Sequence, residues 1–399
     1  MLFRSVVQSA MGFDAYFGAG SGLAVATSNA NGTLFNYTNS IPPGTIVVLW
    51  GSGLGADPAR DTTFNGSVVP INNLAHIYVG GMDAQIFYQG GSGWPGLNQI
   101  DIAIPNGVAP GCNVSLVGVT TAGVPTNFLS LPIGNGVCTD SAFGTTGTQL
   151  QNGGGQTTVN TGFVEMLQDT QPATSGSGTQ TTGLAVGIFE GVTGASYGSS
   201  SGSVSIGGCV VTQTVSVSGT PPTITYLDAG SLSVTGSSGT VSLAEPTKGL
   251  YQAQLANGFI APGGTYTFKG TGGADVGQFS ASLTFPNPPL AWNNSANFAT
   301  VNRSAGATFG WTGGTAGTFV IMAGSSTSTA TGVLANYTCI APVAAGNFTV
   351  PAYVLSALPP GTGSSTLENT SSYGNFTATG LTVGSALGGV VVAVNSTYN

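Results

Sequence analysis

An all-β chain of tandem β-sandwich domains is the fold class this sequence predicts, and three observations carry the prediction. Apolar residues recur at a spacing of two over short runs rich in Val, Ile and Thr, the pattern of half-buried strands. Gly and Pro punctuate these runs, with 65 Gly and 21 Pro in 399 residues, and turn signals at about 8–12-residue intervals are what sandwiches show. Apolar residues at helical spacing are almost absent.

Composition narrows the class further. Only 5% of the residues are charged, against about 25% in an ordinary globular domain. Ser, Thr, Asn and Gly take their place rather than long apolar runs. The chain therefore reads as neither a charged disordered tail nor a protein with a membrane span. The net charge is −8, from 5 Lys and Arg against 13 Asp and Glu, which argues against a basic groove for nucleic acid. A surface so poor in charge lacks mutual repulsion. It suits an extracellular or cell-surface protein whose surface is buried in an assembly or coated with sugar. Met1 to Arg4 carries one positive charge and no continuous apolar core follows, so no secretory signal is legible.

Residues 1–28 are expected to form an extended N-terminal segment. Phe3, Val7, Met11, Phe13 and Phe17 share one parity, which makes one face of an extended strand apolar. Gly18 to Gly22 breaks the run. Two readings stand: the segment belongs to the chain's own sandwich or is a disordered leader, or it is a donor strand that completes a neighbouring subunit's sheet.

Residues 29–136 are expected to form the first sandwich. Pro43-Gly44 fits a type II turn, because Pro fixes φ and Gly accepts a positive φ. The run 45–50 is a buried strand of β-branched and large apolar residues, and Gly51, Gly53 and Gly55 allow a close corner after it. Segments 64–70, 74–79 and 85–88 read as short strands. In 97–105, Ile100, Ile102 and Ile104 alternate cleanly. Segments 113–120 and 126–133 form a closing hairpin around Ala122-Gly123. This is the beginning and end of an Ig-like sandwich.

Residues 137–160 are low in apolar content and read as a linker. A second β domain is expected over 161–285 and a third sandwich over 286–399, separated by the proline-rich Phe285-Pro286-Asn287-Pro288-Pro289. Trp311 is a candidate core residue of the third.

The motifs Val47-Val48-Leu49-Trp50-Gly51-Ser52-Gly53-Leu54-Gly55, Ile77-Tyr78-Val79-Gly80-Gly81 and Asn98-Gln99-Ile100-Asp101-Ile102-Ala103-Ile104-Pro105 together resemble the IPT/TIG-type Ig-like domain of secreted bacterial surface proteins, over residues 41–133. Tyr226-Leu227-Asp228-Ala229-Gly230, Pro262-Gly263-Gly264-Thr265-Tyr266-Thr267, Gly273-Ala274-Asp275-Val276-Gly277 and Cys339-Ile340-Ala341-Pro342 are similar to β regions that accompany that domain. The resemblance implies a secreted, surface-exposed, non-catalytic module, and implies no ligand.

Cys112, Cys138, Cys209 and Cys339 lack metal-ligand spacing, and one histidine cannot complete a Cys/His site. An even number in an apparently secreted β protein favours disulfides. Cys112 and Cys138 flank the closing hairpin and are expected to pair, leaving Cys209 and Cys339 by elimination; four cysteines allow three connectivities and sequence alone does not choose. Asn-x-Ser/Thr sequons stand at Asn31, Asn36, Asn65, Asn113, Asn293, Asn302, Asn336, Asn347, Asn369, Asn375 and Asn395, roughly twice the number chance would give. N-linked glycans there would compensate for the missing charge.

No catalytic constellation is legible and no cofactor or metal is implied. His76, the only histidine, sits in a strand on the parity opposite Ile77 and Val79, which suits a strand-surface residue better than a general base. Gly198-Ser199-Ser200-Ser201-Gly202 fits the nucleophile-elbow pattern without its strand and helix. Asp57 and Asp61 beside Arg60 read as a turn rather than a Ca²⁺ loop, and Glu165, Asp169 and Glu190 are scattered. The leading expectation is an extracellular structural subunit of a pilus-like filament or surface layer. In it, Phe3, Val7, Met11, Phe13 and Phe17 insert head-to-tail into the next copy, a contact that does not close. The alternative is a monomeric surface adhesin or carbohydrate-binding protein, with Trp94 in a Gly-Trp-Pro-Gly loop as a sugar-stacking ring.

Overall fold

The computed structural model describes residues 10–17, 20–56, 68–140, 144–154, 158–172, 179–193, 204–214, 223–370 and 374–399. The expected all-β fold is observed. Among the described residues only two short α-helices interrupt the strands, α1 (Gly147–Gly154) and α2 (Ala352–Ser356). The chain divides into two compact units: residues 1–140, 146–154 and 198–212, and residues 141–145, 155–197 and 213–399.

The first unit is a two-sheet sandwich. Its strands are β1 (Gly12–Phe13), β2 (Ala26–Ser28), β3 (Ile46–Ser52), β4 (Val69–Pro70), β5 (Leu74–Val79), β6 (Met82–Asp83), β7 (Gln85–Gly91), β8 (Asn98–Ala103), β9 (Gly111–Thr120) and β10 (Leu129–Ile133). One sheet has the order β1-β3-β8-β7-β4 with β2 also paired to β3; the other has the order β10-β9-β5-β6. Alternation decides the packing. Val47, Leu49, Ile100 and Ile102 from the first sheet and Ile77, Val79, Leu116 and Leu131 from the second meet in one core. The turn into β3 is as predicted: Gly44 has φ +80°, and Thr45 N–H donates to Pro42 O at 3.2 Å.

The N-terminal segment is part of this sandwich, which corrects the donor-strand expectation for the residues described. Met11 and Phe13 are buried in the unit's own core, and β1 pairs antiparallel with β3. The Gly51-Gly53 corner has a purpose the sequence did not show. A Cβ on Gly51 would strike the Gly12 carbonyl oxygen, and one on Gly53 the Ala10 carbonyl oxygen. Both glycines therefore leave room for the chain's own first strand. Asn127 clamps it, accepting from Phe13 N–H at 2.8 Å and donating to Phe13 O at 2.9 Å. Phe17 lies in a turn, half-buried and close to Tyr16. Phe3 and Val7 lie outside the described residues.

The remaining strands are β11 (Thr139–Asp140), β12 (Thr145–Thr146), β13 (Thr158–Pro172), β14 (Thr179–Thr193), β15 (Cys209–Thr214), β16 (Thr223–Tyr226), β17 (Leu232–Gly236), β18 (Gly239–Thr247), β19 (Leu250–Leu255), β20 (Thr265–Gly270), β21 (Phe279–Thr284), β22 (Ala291–Trp292), β23 (Thr300–Val301), β24 (Ala307–Thr312), β25 (Phe319–Thr327), β26 (Leu334–Pro342), β27 (Asn347–Val350), β28 (Gly361–Thr370), β29 (Gly374–Phe376) and β30 (Val383–Tyr398). The expected linker over 137–160 is thus partly folded: it holds β11, β12, α1 and the start of β13, and Cys138 and Asp140 are buried.

The second unit is built on one long sheet running β26-β25-β28-β30-β13-β14-β19-β18-β17-β20-β21. The expected division at residue 286 is not a boundary. β13 and β30 pair in parallel from Thr161 opposite Val383 to Thr170 opposite Val392. Val164 and Met166 share a core with Phe376, Ala386 and Val390. Segments far apart in the sequence thus close one sheet, which local turn signals cannot reveal. Trp311 is buried as expected, and its indole N–H donates to Val343 O at 2.9 Å.

Candidate functional site: the outer face of the six-stranded sheet

The six-stranded sheet buries one face, so its other face is set by the opposite parity. On β3 that parity carries Val48 and Trp50; on β8, Gln99 and Asp101; on β7, Tyr88 and Gly90. Register places Trp50 beside Gln99 and Val48 beside Asp101. Across β8, Tyr88 stands beside Asp101 and Gly90 beside Gln99. Asp14 follows β1 into the same row, its N–H donating to Trp50 O at 2.9 Å. Partial burial raises the Asp14 carboxyl above the ordinary range.

Both rings are held. The Trp50 indole N–H donates to Thr27 Oγ1 at 3.1 Å. The Tyr88 hydroxyl has one hydrogen to donate, with Gly91 O at 2.6 Å as the nearer acceptor and Val69 O at 3.1 Å as the other. A Cβ on Gly90 would stand 2.6 Å from the Tyr88 hydroxyl, so the phenol lies along the sheet where Gly90 has no side chain. Between the rings, Gln99 Nε2 donates to Asp101 Oδ1 at 2.9 Å. Among the described residues this leaves Gln99 its carbonyl and Asp101 its second oxygen. By strand geometry the two aromatic residues are roughly 12 Å apart. Trp94, 61% exposed, lies in the loop joining β7 to β8. Fixed rings flanking a carboxylate–amide pair can bind a ligand with apolar C–H faces and several hydroxyls.

The parity already read for 98–105 puts Gln99 and Asp101 opposite the isoleucines, so half of this site was within reach of the sequence. In the sequence Trp50 stands at the end of an apolar strand and within the Val47–Gly55 motif, and nothing local ties Asp14 or Tyr88 to it.

Other singled-out residues fall elsewhere. His76 is exposed on β5, as expected, with Nδ1 2.8 Å from Asp83 Oδ2 and its ring stacked on Tyr78. Cys112 and Cys138 form a disulfide; Cys209 and Cys339 are also disulfide-bonded, and no cysteine is free. Two sequons are corrected. Asn113 is 9% exposed and Asn369 0%, the latter donating its amide to Thr318 Oγ1 and Phe319 O, both at 3.0 Å. Neither amide can receive a glycan in the folded chain. Asn31, Asn293, Asn302, Asn347, Asn375 and Asn395 are exposed, and Asn36 and Asn336 half-buried. Asn65, Asp57, Arg60, Asp61 and Gly198 to Gly202 lie outside the described residues.

The motifs around Asp228 and Asp275 meet in a structural clasp. Asp228 Oδ1 accepts from Gly230 N–H at 2.8 Å and Oδ2 from Ala274 N–H at 3.2 Å. Asp275 Oδ2 accepts from Asp228 N–H at 2.8 Å and pairs with Lys248 Nζ at 2.8 Å. These backbone hydrogen bonds, with the Lys248 ammonium, hold both carboxyls below the ordinary range. Among the described residues, no group of three or more His, Cys, Asp or Glu is placed to hold a metal ion, and no helix is long and apolar enough to cross a membrane.

No protein-family profile matches the chain, and no curated relative does. Solved structures align only loosely. A surface glycan-binding protein of the Bacteroides ovatus mixed-linkage glucan utilization locus, solved with a heptasaccharide, is 11% identical, covering 81% of this chain and 67% of its own, with a TM-score of 0.17. A structure from a 1.5-MDa bacterial ice-binding adhesin is 10% identical over 99% of both chains, also at 0.17. An endo-fucoidan hydrolase of glycoside hydrolase family 107 is 11% identical, over 94% of this chain and 45% of its own, at 0.13. None superposes as a whole, so these likenesses assign neither a family nor an activity, and the chain's own side chains carry the functional reading.

Proposed function

We propose that this protein is a non-catalytic, extracellular adhesion module that binds carbohydrate on the outer face of the six-stranded sheet. The observation that carries the reading is the pair of pinned rings, Trp50 and Tyr88, flanking the Gln99–Asp101 pair, all four half-buried on the sheet face opposite the core. Disulfide bonding of all four cysteines supports an oxidising compartment. We retain the IPT/TIG-type resemblance as the proposed identity of the first sandwich. The filament reading loses its main support, because Met11 and Phe13 fill the chain's own core.

A glycan array followed by titration calorimetry tests this. Trp50→Ala is expected to abolish binding, Gln99→Ala to weaken it about tenfold, and Trp50→Phe to retain part of it. Trp94→Ala is expected to have the smaller effect of a rim ring. An array on which the protein binds nothing, or binding indifferent to Trp50→Ala in a folded variant, would overturn the proposal.

A further inference from the structure

On the carbohydrate reading proposed above, we infer that the ring-flanked sheet face of the first unit takes a cationic glycan, a chain of amino sugars with free amines, in preference to neutral or acidic ones. The charge balance of the unit is one-sided. Its described residues include four Asp and one His, and no Glu, Lys or Arg; Arg4 and Arg60 lie outside them. Two of the four acids are engaged away from the face. Asp83 Oδ2 lies 2.8 Å from His76 Nδ1, and Asp140 is buried and accepts from Ser205 Oγ at 2.6 Å. The other two, Asp14 and Asp101, both stand on the face that carries the rings.

Backbone register puts these two acids on either side of β3. Gly12 stands opposite Ser52 and Phe13 opposite Gly51, so Asp14 comes opposite Trp50. Phe13 fills the core, and Asp14, of the other parity, is exposed. Across β3, Asp101 stands beside Val48, two residues along from Trp50. By strand geometry Asp14 and Asp101 are roughly 12 Å apart. One sugar ring cannot reach both, so the occupant is an oligomer with amines on more than one ring. Neither acid has a cation beside it among the described residues. The Asp14 carboxyl makes no hydrogen bond or ion pair there, and Asp101 has only the Gln99 amide, at 2.9 Å. Partial burial without a countercharge disfavours the Asp14 carboxylate, a cost that a ligand ammonium beside it would reverse. The faces of Trp50 and Tyr88 attract the same sign of charge. An acidic glycan would meet two like charges, and a neutral one would leave both uncompensated. A protonated amine gains a charge-assisted hydrogen bond at each.

Calorimetric titration of the full-length protein tests this, at low salt and at a mildly acid pH where sugar amines are protonated. The probes are the hexamers of glucosamine and of N-acetylglucosamine, cellohexaose, pentagalacturonic acid and hexalysine. The glucosamine hexamer is expected to bind at least tenfold more tightly than the two neutral hexasaccharides, and pentagalacturonic acid not to bind. Asp14→Asn and Asp101→Asn should each weaken the glucosamine hexamer about threefold, and together about tenfold, erasing the preference; melting temperatures check that the variants fold. Added salt should shrink the preference in the wild type. The inference is overturned if a neutral or acidic saccharide binds as tightly as the glucosamine hexamer, or if the double variant keeps the preference. It is equally overturned if hexalysine matches the glucosamine hexamer, which would make the face a site for any polycation. Trp50-dependent binding of the neutral hexamers without that preference would leave the carbohydrate reading standing. Binding of no saccharide, or binding indifferent to Trp50→Ala, would sink both.

Discussion

Replacing Glu368 by Gln should make the protein more stable at neutral pH and leave it unchanged near pH 4. Glu165 stands beside Leu387 on β30, and Glu368 beside Val391, so both acids occupy the β30 face opposite Ala386 and Val390. Glu368 Oε1 is out of contact with solvent and has no hydrogen-bond partner; its side chain lies against Gly389. Burial lifts Glu165 from 4.5 to about 7. Burial, and then the charge of Glu165, lift Glu368 from 4.5 to about 8. A carboxyl raised on folding contributes stability that is fully present below pH 4.5 and lost as pH rises through its folded value. Between about pH 5.5 and 6.5 the folded chain keeps two protons that the unfolded chain has released, so stability should fall by up to about 2.7 kcal/mol per pH unit. At about 1.4 kcal/mol per tenfold change, Glu368 alone is worth roughly 5 kcal/mol between pH 4 and 9, part of it shared with Glu165. Urea unfolding followed by tryptophan fluorescence from pH 4 to 9 measures this. Glu368→Gln should flatten the upper half of the profile. Parallel profiles for the two proteins would refute a buried, protonated Glu368.

Four further outcomes follow from the same geometry. Asp228 and Asp275, held below the ordinary carboxylate range, contribute stability present above about pH 4 and lost as pH falls through their folded values; acid unfolding of Asp228→Asn should be shallower than wild type. Gly273→Ala places a methyl against Asp228 Oδ1 and should cost about 1–3 kcal/mol, read as a lower melting temperature. Cys112→Ser combined with Cys138→Ser opens a bridge spanning 26 residues and should destabilise the first unit by about 3–4 kcal/mol, seen by calorimetry under non-reducing conditions. Peptide mapping of material made in a glycosylating host should find any glycans at exposed sequons such as Asn31 and Asn302, and none at Asn113 or Asn369.

The strands of the first sandwich were legible because each is local: period two in 98–105, Pro-Gly before β3, turns between short runs. The Cys112–Cys138 pair was legible for the same reason, since it flanks one hairpin. What the sequence hid is non-local. Gly51 and Gly53 looked like a bend, yet their missing side chains make room for residues more than thirty-five positions earlier. Phe285 to Pro289 looked like a domain boundary because prolines leave a sheet, yet β30 returns across it to pair with β13. The candidate site was half visible. Parity placed Gln99 and Asp101 outward, but only strand order brings Trp50 and Tyr88 to either side of them.

The place of β30 has a consequence for how the molecule is made. Its 16 residues slot between β28 and β13, so until they emerge, two long neighbours wait with open backbone edges. Pairing across more than two hundred intervening residues is slow, and bare edges invite wrong partners. Biogenesis of the second unit is therefore expected to be all-or-nothing with respect to chain completion. A chain shortened before Val383 should accumulate as aggregates rather than as a smaller soluble domain.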